Sequence, residues 1–393
     1  MLLSAGIWTM AGQMTGPFFS LYVLGLGGNY FDIGLISAIG AIIRIVPTLF
    51  GGYLADTIGR KKIIFSMSFL LAVNELINVF APSYQLLFLS AALGALWGGI
   101  REPAFSSLIA DSTKPENRAM GYALWNVVPP LFGVVSPYAI GIFMDRYGTV
   151  VALRWAYIFV FCMGTLASLI RWRFLEETFK SEDIERVELR RALGEILEDF
   201  RITFRALPRG LWVFLTIDII LIIAWSLIDP YFVTFAKEVA GLSSAQWGLT
   251  VMVWTLTNII IRLPSASLSD RYGRLKFIRP TLLLYPLTIL FLLNSKGFTA
   301  VLLVRLSIAV LGSIDGPAWQ ALYADYSPRE HRGRFYAVAS AIRFLFWSTG
   351  NVVGGFLYQE VSKKTPFQVG SIFLFIGAIA FLLFVKEPKT REE

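Results

Sequence analysis

Twelve apolar runs, each about as long as a membrane-spanning helix, decide what this chain can fold into. They fall at about 3–26, 31–55, 63–81, 84–109, 119–144 and 151–172, then at about 210–235, 245–268, 277–294, 298–323, 334–358 and 367–385. They are called spans 1 to 12 below. A helix needs roughly 20 apolar residues to cross the bilayer. The runs are about twice the length of a barrel strand and do not alternate, which excludes a β-barrel. Composition agrees, with 56% hydrophobic and 16% charged residues among 393, where soluble domains average about a quarter charged. A water-soluble enzyme is therefore excluded, as is a large globular domain. Cys162 is the only cysteine and His331 the only histidine, so neither a disulfide framework nor a multi-cysteine or histidine-cluster metal site is expected. Span 1 lacks a basic start and leads straight into span 2, so it reads as a span and not as a cleaved signal.

Lysine and arginine placement sets the orientation. If the loops alternate and both termini lie on one side, that side holds 24 basic residues and the other 6. Both termini are expected in the cytoplasm of a multi-pass cell-membrane protein. The net charge of +8 follows from this bias and does not point to nucleic acid. One long polar stretch, 174–208, separates two sets of six spans. Ile184, Val187, Leu193, Ile196, Phe200 and Phe204 give part of it the spacing of an amphipathic surface helix. The expected organisation is a bundle over 1–173, a cytoplasmic linker over 174–208, and a second bundle over 209–393.

The two sets are copies of one unit. At a shift of 214 residues, GYLADTIGRKK (52–62) lies on ASLSDRYGRLK (266–276), and residues 98–123 lie on 312–337 with 11 of 26 positions identical. Unrelated sequences would match at one or two, so the chain is an internal duplication. The expected fold is all-α, two six-helix bundles related by a pseudo-two-fold axis, with a solute path between them. Gly52, Leu54, Ala55, Asp56, Gly59, Arg60 and Lys61 between spans 2 and 3 resemble the signature loop of the major facilitator superfamily. Leu268, Asp270, Gly273 and Arg274 between spans 8 and 9 repeat it. The loop after span 4, with Asp111, Glu116 and Arg118, and its copy with Asp325, Glu330 and Arg332, are similar to that superfamily too. The resemblance implies secondary transport by alternating access, with these loops gating rather than binding solute. Simple anchoring at the membrane surface is the competing role, and the two are compatible. Independently, Asp56 can pair with Arg60 or a helix N-terminus, and Gly59 permits the sharp turn.

Ionisable residues at membrane depth are expensive and mark function by default. They are Arg44, Glu75, Arg101, Glu102, Asp218, Asp229, Arg262, Arg305, Asp315 and Arg343. The resemblance places spans 1, 4, 7 and 10 along the path, and with them Arg101, Glu102, Asp218, Asp229, Arg305 and Asp315. Glu75, on span 3, reads as structural. Arg101 and Asp315 occupy the same repeat position with opposite charge. Asp218, Trp225 and Asp229, 7 and 11 residues apart, fall on one helix stripe. Asp218, Arg101 and Asp315 are expected in a charged cluster that trades partners during transport, with a permanent structural salt bridge as the other reading. Trp97, Trp319 and Trp347 stand four residues from Arg101, Asp315 and Arg343, the spacing of one helix face. They suit an aromatic cavity or plain packing. Pro129, Pro130 and Pro137, with Gly133 and Gly141, should kink span 5. Gly350 and Gly354 give span 11 a small-residue face.

Efflux members of the superfamily often carry an arginine in span 4 twelve residues before a Pro-Ala pair. Here that position is Ala91, and the repeat position in span 10 is Arg305. Gly133, Pro137 and Gly141 resemble the glycine-proline motif of drug/proton antiporters only loosely. No phosphate-binding G-x-x-x-x-G-K-[ST] loop is present, so a gradient and not ATP hydrolysis must drive transport. No cofactor and no enzymatic activity are expected. The leading reading is a monomeric secondary transporter of small organic solutes, efflux-like, with protons a candidate coupling ion. Uptake of sugars or organic anions is the alternative, and a non-transporting membrane sensor the alternative from another class.

Overall fold

The computed structural model describes residues 1–113, 118–178, 209–326 and 332–386. The expected linker helix, His331, Glu116 and Glu330 lie outside the described residues, as do the side chains of Arg118 and Arg332. Every regular element among the described residues is helical, and all twelve expected spans are present. Among the described residues, nine helical segments are each long and apolar enough to cross a membrane. The chain is a multi-pass membrane protein.

Local sequence explains where the helices start, break and stop. Asn29 opens span 2 (Tyr30–Ile58) with a capping box, its side chain accepting from the Asp32 amide while Asp32 accepts from the Asn29 amide. Such a box satisfies two amides that a helix start would otherwise orphan. Gly59 ends the helix at φ 106°, and span 3 (Arg60–Phe80) begins at the next residue. Gly273 repeats that turn at φ 101° after span 8 (Ser244–Tyr272). Only glycine takes such a backbone without strain. Span 5 breaks between Gly133 and Ser136, where Pro137 stands in the first turn of the second segment and has no amide to bond back to Gly133; Pro129 and Pro130 stay inside the first segment.

Spans 1 and 7 are also broken, at matching repeat positions. Span 1 runs Leu2–Thr15, turns through a 3-10 segment at Gly16–Phe18, and resumes at Phe19–Gly25. Span 7 runs Arg209–Ile228, turns at Asp229–Tyr231, and resumes at Phe232–Glu238. Pro17 and Pro230 cause both turns, since proline lacks the amide that an α-helix needs. Asp229 therefore sits in a 3-10 turn, beyond the end of the helix that carries Asp218 and Trp225.

The chain divides into two compact units, Met1–Glu188 with Ser243–Met252, and Leu189–Leu242 with Val253–Glu393. In the first unit span 1 packs on spans 5 and 6, span 3 (Arg60–Phe80) on spans 4 and 6, and span 2 on span 4. The second unit repeats the scheme, with span 7 on spans 11 and 12 and span 9 on spans 10 and 12. Residues 243–252 belong to the first unit because the Asp145 carboxylate accepts from the Ser244 and Ala245 amides at 2.8 and 2.9 Å. The negative charge complements the positive start of that helix. Trp247 adds a hydrogen bond from its ring N–H to the Pro17 carbonyl at 3.1 Å.

The small-residue face of span 11 is where the sequence places it. A Cβ at Gly354 would stand 2.6 Å from the Leu227 carbonyl and 2.9 Å from the Tyr231 ring, both on span 7. A Gly354→Ala substitution must push the two helices apart, and overpacking of this kind costs about 1–3 kcal/mol. Thermal unfolding of the purified protein is expected to show that loss. A wild-type melting temperature would mean that the contact yields freely.

Candidate functional site

A polar cavity lies among the described residues of each unit. The second unit's has a volume of about 680 Å³ and gathers Asp218, Trp225, Asp229 and Asp315 on its wall. The sequence reading had named all four. Asp218, on span 7, is 3% exposed. It accepts from the Tyr323 hydroxyl at 2.5 Å and pairs with Arg343 Nη1 at 3.2 Å. Arg343 Nη1 also donates to the Tyr323 oxygen at 3.3 Å, so the three side chains form a closed triad from spans 7, 10 and 11.

Asp315, on span 10 (Gly297–Tyr326), is different. Its carboxylate accepts from Thr281 Oγ1 at 3.1 Å and from the Tyr285 hydroxyl at 3.3 Å. Among the described residues no cation lies within salt-bridge distance of it. A carboxyl held only by hydroxyl donors can keep either its charged or its neutral form, because both a hydroxyl and a protonated acid can re-orient. Trp225 meets Tyr285 edge-on with ring centroids 5.2 Å apart. Trp319 and Trp347 line the same cavity, beside Asp315 and Arg343 as their four-residue spacing implied. Acidic groups outnumber the one cation on the wall, and aromatic rings make up much of the rest.

Arg305 stands outside that wall. Its guanidinium lies over Trp254 at 4.2 Å and over Phe232 at 5.1 Å, and it is the charge that acts on Asp229.

The first unit's cavity is about 500 Å³ and includes Arg44, Arg101, Glu102 and Arg171. Glu102 is ion-paired with Arg44. Arg101 and Arg171 both donate to Ser68 Oγ, at 3.4 and 2.5 Å. Trp97 is not part of this wall, whereas Trp8 and Trp125 are. Arg101 and Asp315, equivalent by repeat, each have hydrogen-bond acceptors or donors inside their own unit. Glu75 accepts from Asn78 Nδ2 at 2.8 Å, and neither it nor Arg262 lines either cavity.

The loop residues assemble in the same way twice. Arg60 is ion-paired with Asp111 at the end of span 4 and lies 3.3 Å from Asp56. Arg274 is ion-paired with Asp325 at the end of span 10 and lies 3.9 Å from Asp270. Arg274 Nη1 also donates to the Ala321 carbonyl at 2.8 Å. Each arginine thus ties its short loop to the end of the next span but one, and cations at a helix C-terminus are favoured. Glu177 completes the first set by accepting from the Arg60 and Lys61 amides at 3.0 and 3.1 Å.

Three side chains that line these cavities fall outside the expected path set, Tyr323, Arg343 and Arg171. Tyr323 carried no charge to attract notice. Arg343 was recognised as deep but set beside the path, and its partner Asp218 is 125 residues away. Arg171 counted as a loop residue at the end of span 6, yet it is 3% exposed. The step of three residues from Arg171 to Ser168, also buried, is the one local sign that this arginine faces inward.

A family description, Major Facilitator Superfamily, matches residues 1–284 and again 215–393. The quinolone resistance protein NorA of Staphylococcus aureus (strain MRSA252) is 22% identical over 387 residues, covering 95% of this chain and 92% of that protein. An uncharacterized MFS-type transporter of Methanocaldococcus jannaschii is 23% identical over 370 residues, covering 93% and 92%. Among solved structures, the peptide transporter POT aligns with a TM-score of 0.76 at 14% identity, covering 97% of this chain and 92% of that one. That last likeness concerns the fold alone.

Proposed function

The chain is a transporter of the Major Facilitator Superfamily, and from that premise we propose that it exports amphipathic organic solutes in exchange for protons. The observation that carries this reading is Asp315, a buried carboxyl held by two hydroxyl donors in a cavity rich in aromatic rings. A proton arriving there alters the charge of the cavity without breaking an ion pair. Asp218 is the second acidic group of the path, and its triad with Tyr323 and Arg343 can trade partners when charge enters beside it. The similarity to a quinolone resistance protein supports efflux. The pairs centred on Arg60 and Arg274 gate, since each fixes a short loop whose carboxylates Asp56 and Asp270 stay exposed. The basic bias of the loops supports cytoplasmic termini in the cell membrane.

A panel of radiolabelled aromatic solutes, cationic, neutral and anionic, tests this in proteoliposomes under an imposed pH gradient. At least one solute is expected to accumulate against its own gradient and to be released by a protonophore. If none moves faster than through protein-free liposomes, the reading fails.

A further inference from the structure

The first unit's cavity holds more positive charge than its own side chains neutralise. Arg171 is 3% exposed, and its guanidinium donates to Ser4 Oγ at 3.2 Å, the Ser4 carbonyl at 3.3 Å and Ser68 Oγ at 2.5 Å. Arg101 reaches the same Ser68 hydroxyl from span 4. Two guanidinium groups thus share one oxygen. Neither has a carboxylate within salt-bridge distance among the described residues. The one acid on the wall, Glu102, is already committed to Arg44. Buried charge without a counter-charge is costly, and the usual remedy is a partner ion.

Aromatic rings supply part of the compensation and also shape the site. Arg101 lies over Trp8 at 4.7 Å and Phe105 at 5.6 Å, and Arg171 over the same two rings at 5.7 and 5.0 Å. Phe105 in turn packs on Trp125 with centroids 5.1 Å apart. Cation–π contact of this kind offsets part of the cost of burying the charge but supplies no counter-charge. Guanidinium groups side by side offer the forked donors that bind a carboxylate in two-point fashion. Flat rings next to them offer a surface for a planar body.

We infer that the first unit's cavity binds the carboxylate of a planar aromatic acid between Arg101 and Arg171, with the ring system of the acid against Trp8, Phe105 and Trp125. This rests on the transport reading, since it names the solute class that the same path carries. The acidic cavity of the second unit then serves the proton, and the basic one the solute. Division of labour between two copies of one duplicated unit accounts for their opposite charge.

Binding of 1-naphthoate and of its uncharged analogue 1-naphthamide to the detergent-purified full chain tests the inference by isothermal titration calorimetry. The acid is expected to bind saturably and at least about tenfold more tightly than the amide, the effect of one charge-assisted contact. Arg101→Gln is expected to erase that preference, and Arg101→Lys to recover only part of it, because an ammonium lacks the fork. Arg171 is tied to the backbone of span 1, so Arg171→Gln is read only if its thermal unfolding matches the wild type. Arg101 has one long hydrogen bond to lose and is the variant that decides. No binding of 1-naphthoate, equal affinity for acid and amide, or an unchanged preference in Arg101→Gln would each overturn the proposal. Any of these, with gradient-driven movement of another solute intact, leaves the transport reading standing. Binding of 1-naphthoate with no movement of any solute supports the site and refutes the transport reading instead.

Discussion

Asp315→Asn is expected to abolish pH-driven accumulation while leaving solute exchange in place. A gradient of one pH unit stores about 1.4 kcal/mol per proton, enough for about tenfold accumulation of a solute exchanged one for one with the proton when the membrane potential is held at zero. Asparagine keeps the size of the side chain; its one carbonyl oxygen can accept from Thr281 or Tyr285, and its amide NH2 donates to the other hydroxyl, which re-orients to accept. It cannot take up or release a proton in the working range. With the membrane potential clamped, the accumulation ratio of the variant should therefore fall to about one. Labelled solute should still exchange against unlabelled solute inside the vesicle, since that reaction moves no net proton. Loss of both activities would place Asp315 in solute binding or folding rather than in coupling. Full accumulation would remove it from the proton path.

The second large effect is expected at Arg343. Its ion pair with Asp218 is asymmetric, the Asp218 side chain being 4% exposed and that of Arg343 41%. Arg343→Gln leaves a buried carboxylate with the Tyr323 hydroxyl as its remaining strong donor. Removing one partner of a fully buried pair costs about 3–5 kcal/mol. Solvent at the open guanidinium weakens the original pair, so about 2–3 kcal/mol is expected here. Removal of the stranded charge should restore most of that loss, and Asp218→Asn combined with Arg343→Gln is expected to be more stable than Arg343→Gln alone. This reversal of sign is the interaction energy that a double-mutant cycle isolates, and it is expected where the second substitution removes the stranded charge. The readout is thermal unfolding of the purified single and double variants. If the double variant is the least stable of the set, the triad has been misassigned.

The sequence carried the architecture because the relevant signals are local or repeated. Runs of apolar residues mark helices, Gly59 and Gly273 mark the tight turns, and a constant shift marks the duplication. The loop ion pairs were readable for the same reason, Arg60 lying four residues from Asp56. The acidic stripe of span 7 was readable from helical spacing, although Pro230 moves Asp229 into a turn that spacing alone does not reveal. What stayed hidden depends on how each helix is rotated against its neighbours. Tyr323 and Arg343 meet Asp218 from two other spans, and nothing in their own surroundings names it. Arg171 and Arg101 meet at Ser68 from spans 6, 4 and 3. Positive-inside counting assigns an arginine near a span end to the water, and it has no means to see a guanidinium folded back over Trp8 and Phe105.

The account stands or falls on solute movement coupled to protons. The most direct measurement is the internal pH of proteoliposomes, followed with an entrapped dye after a solute gradient is imposed in the absence of any pH difference. Wild-type vesicles are expected to develop a pH change only when solute is present, and Asp315→Asn vesicles none. An identical trace from wild type, the variant and protein-free vesicles would contradict proton-coupled transport by this chain.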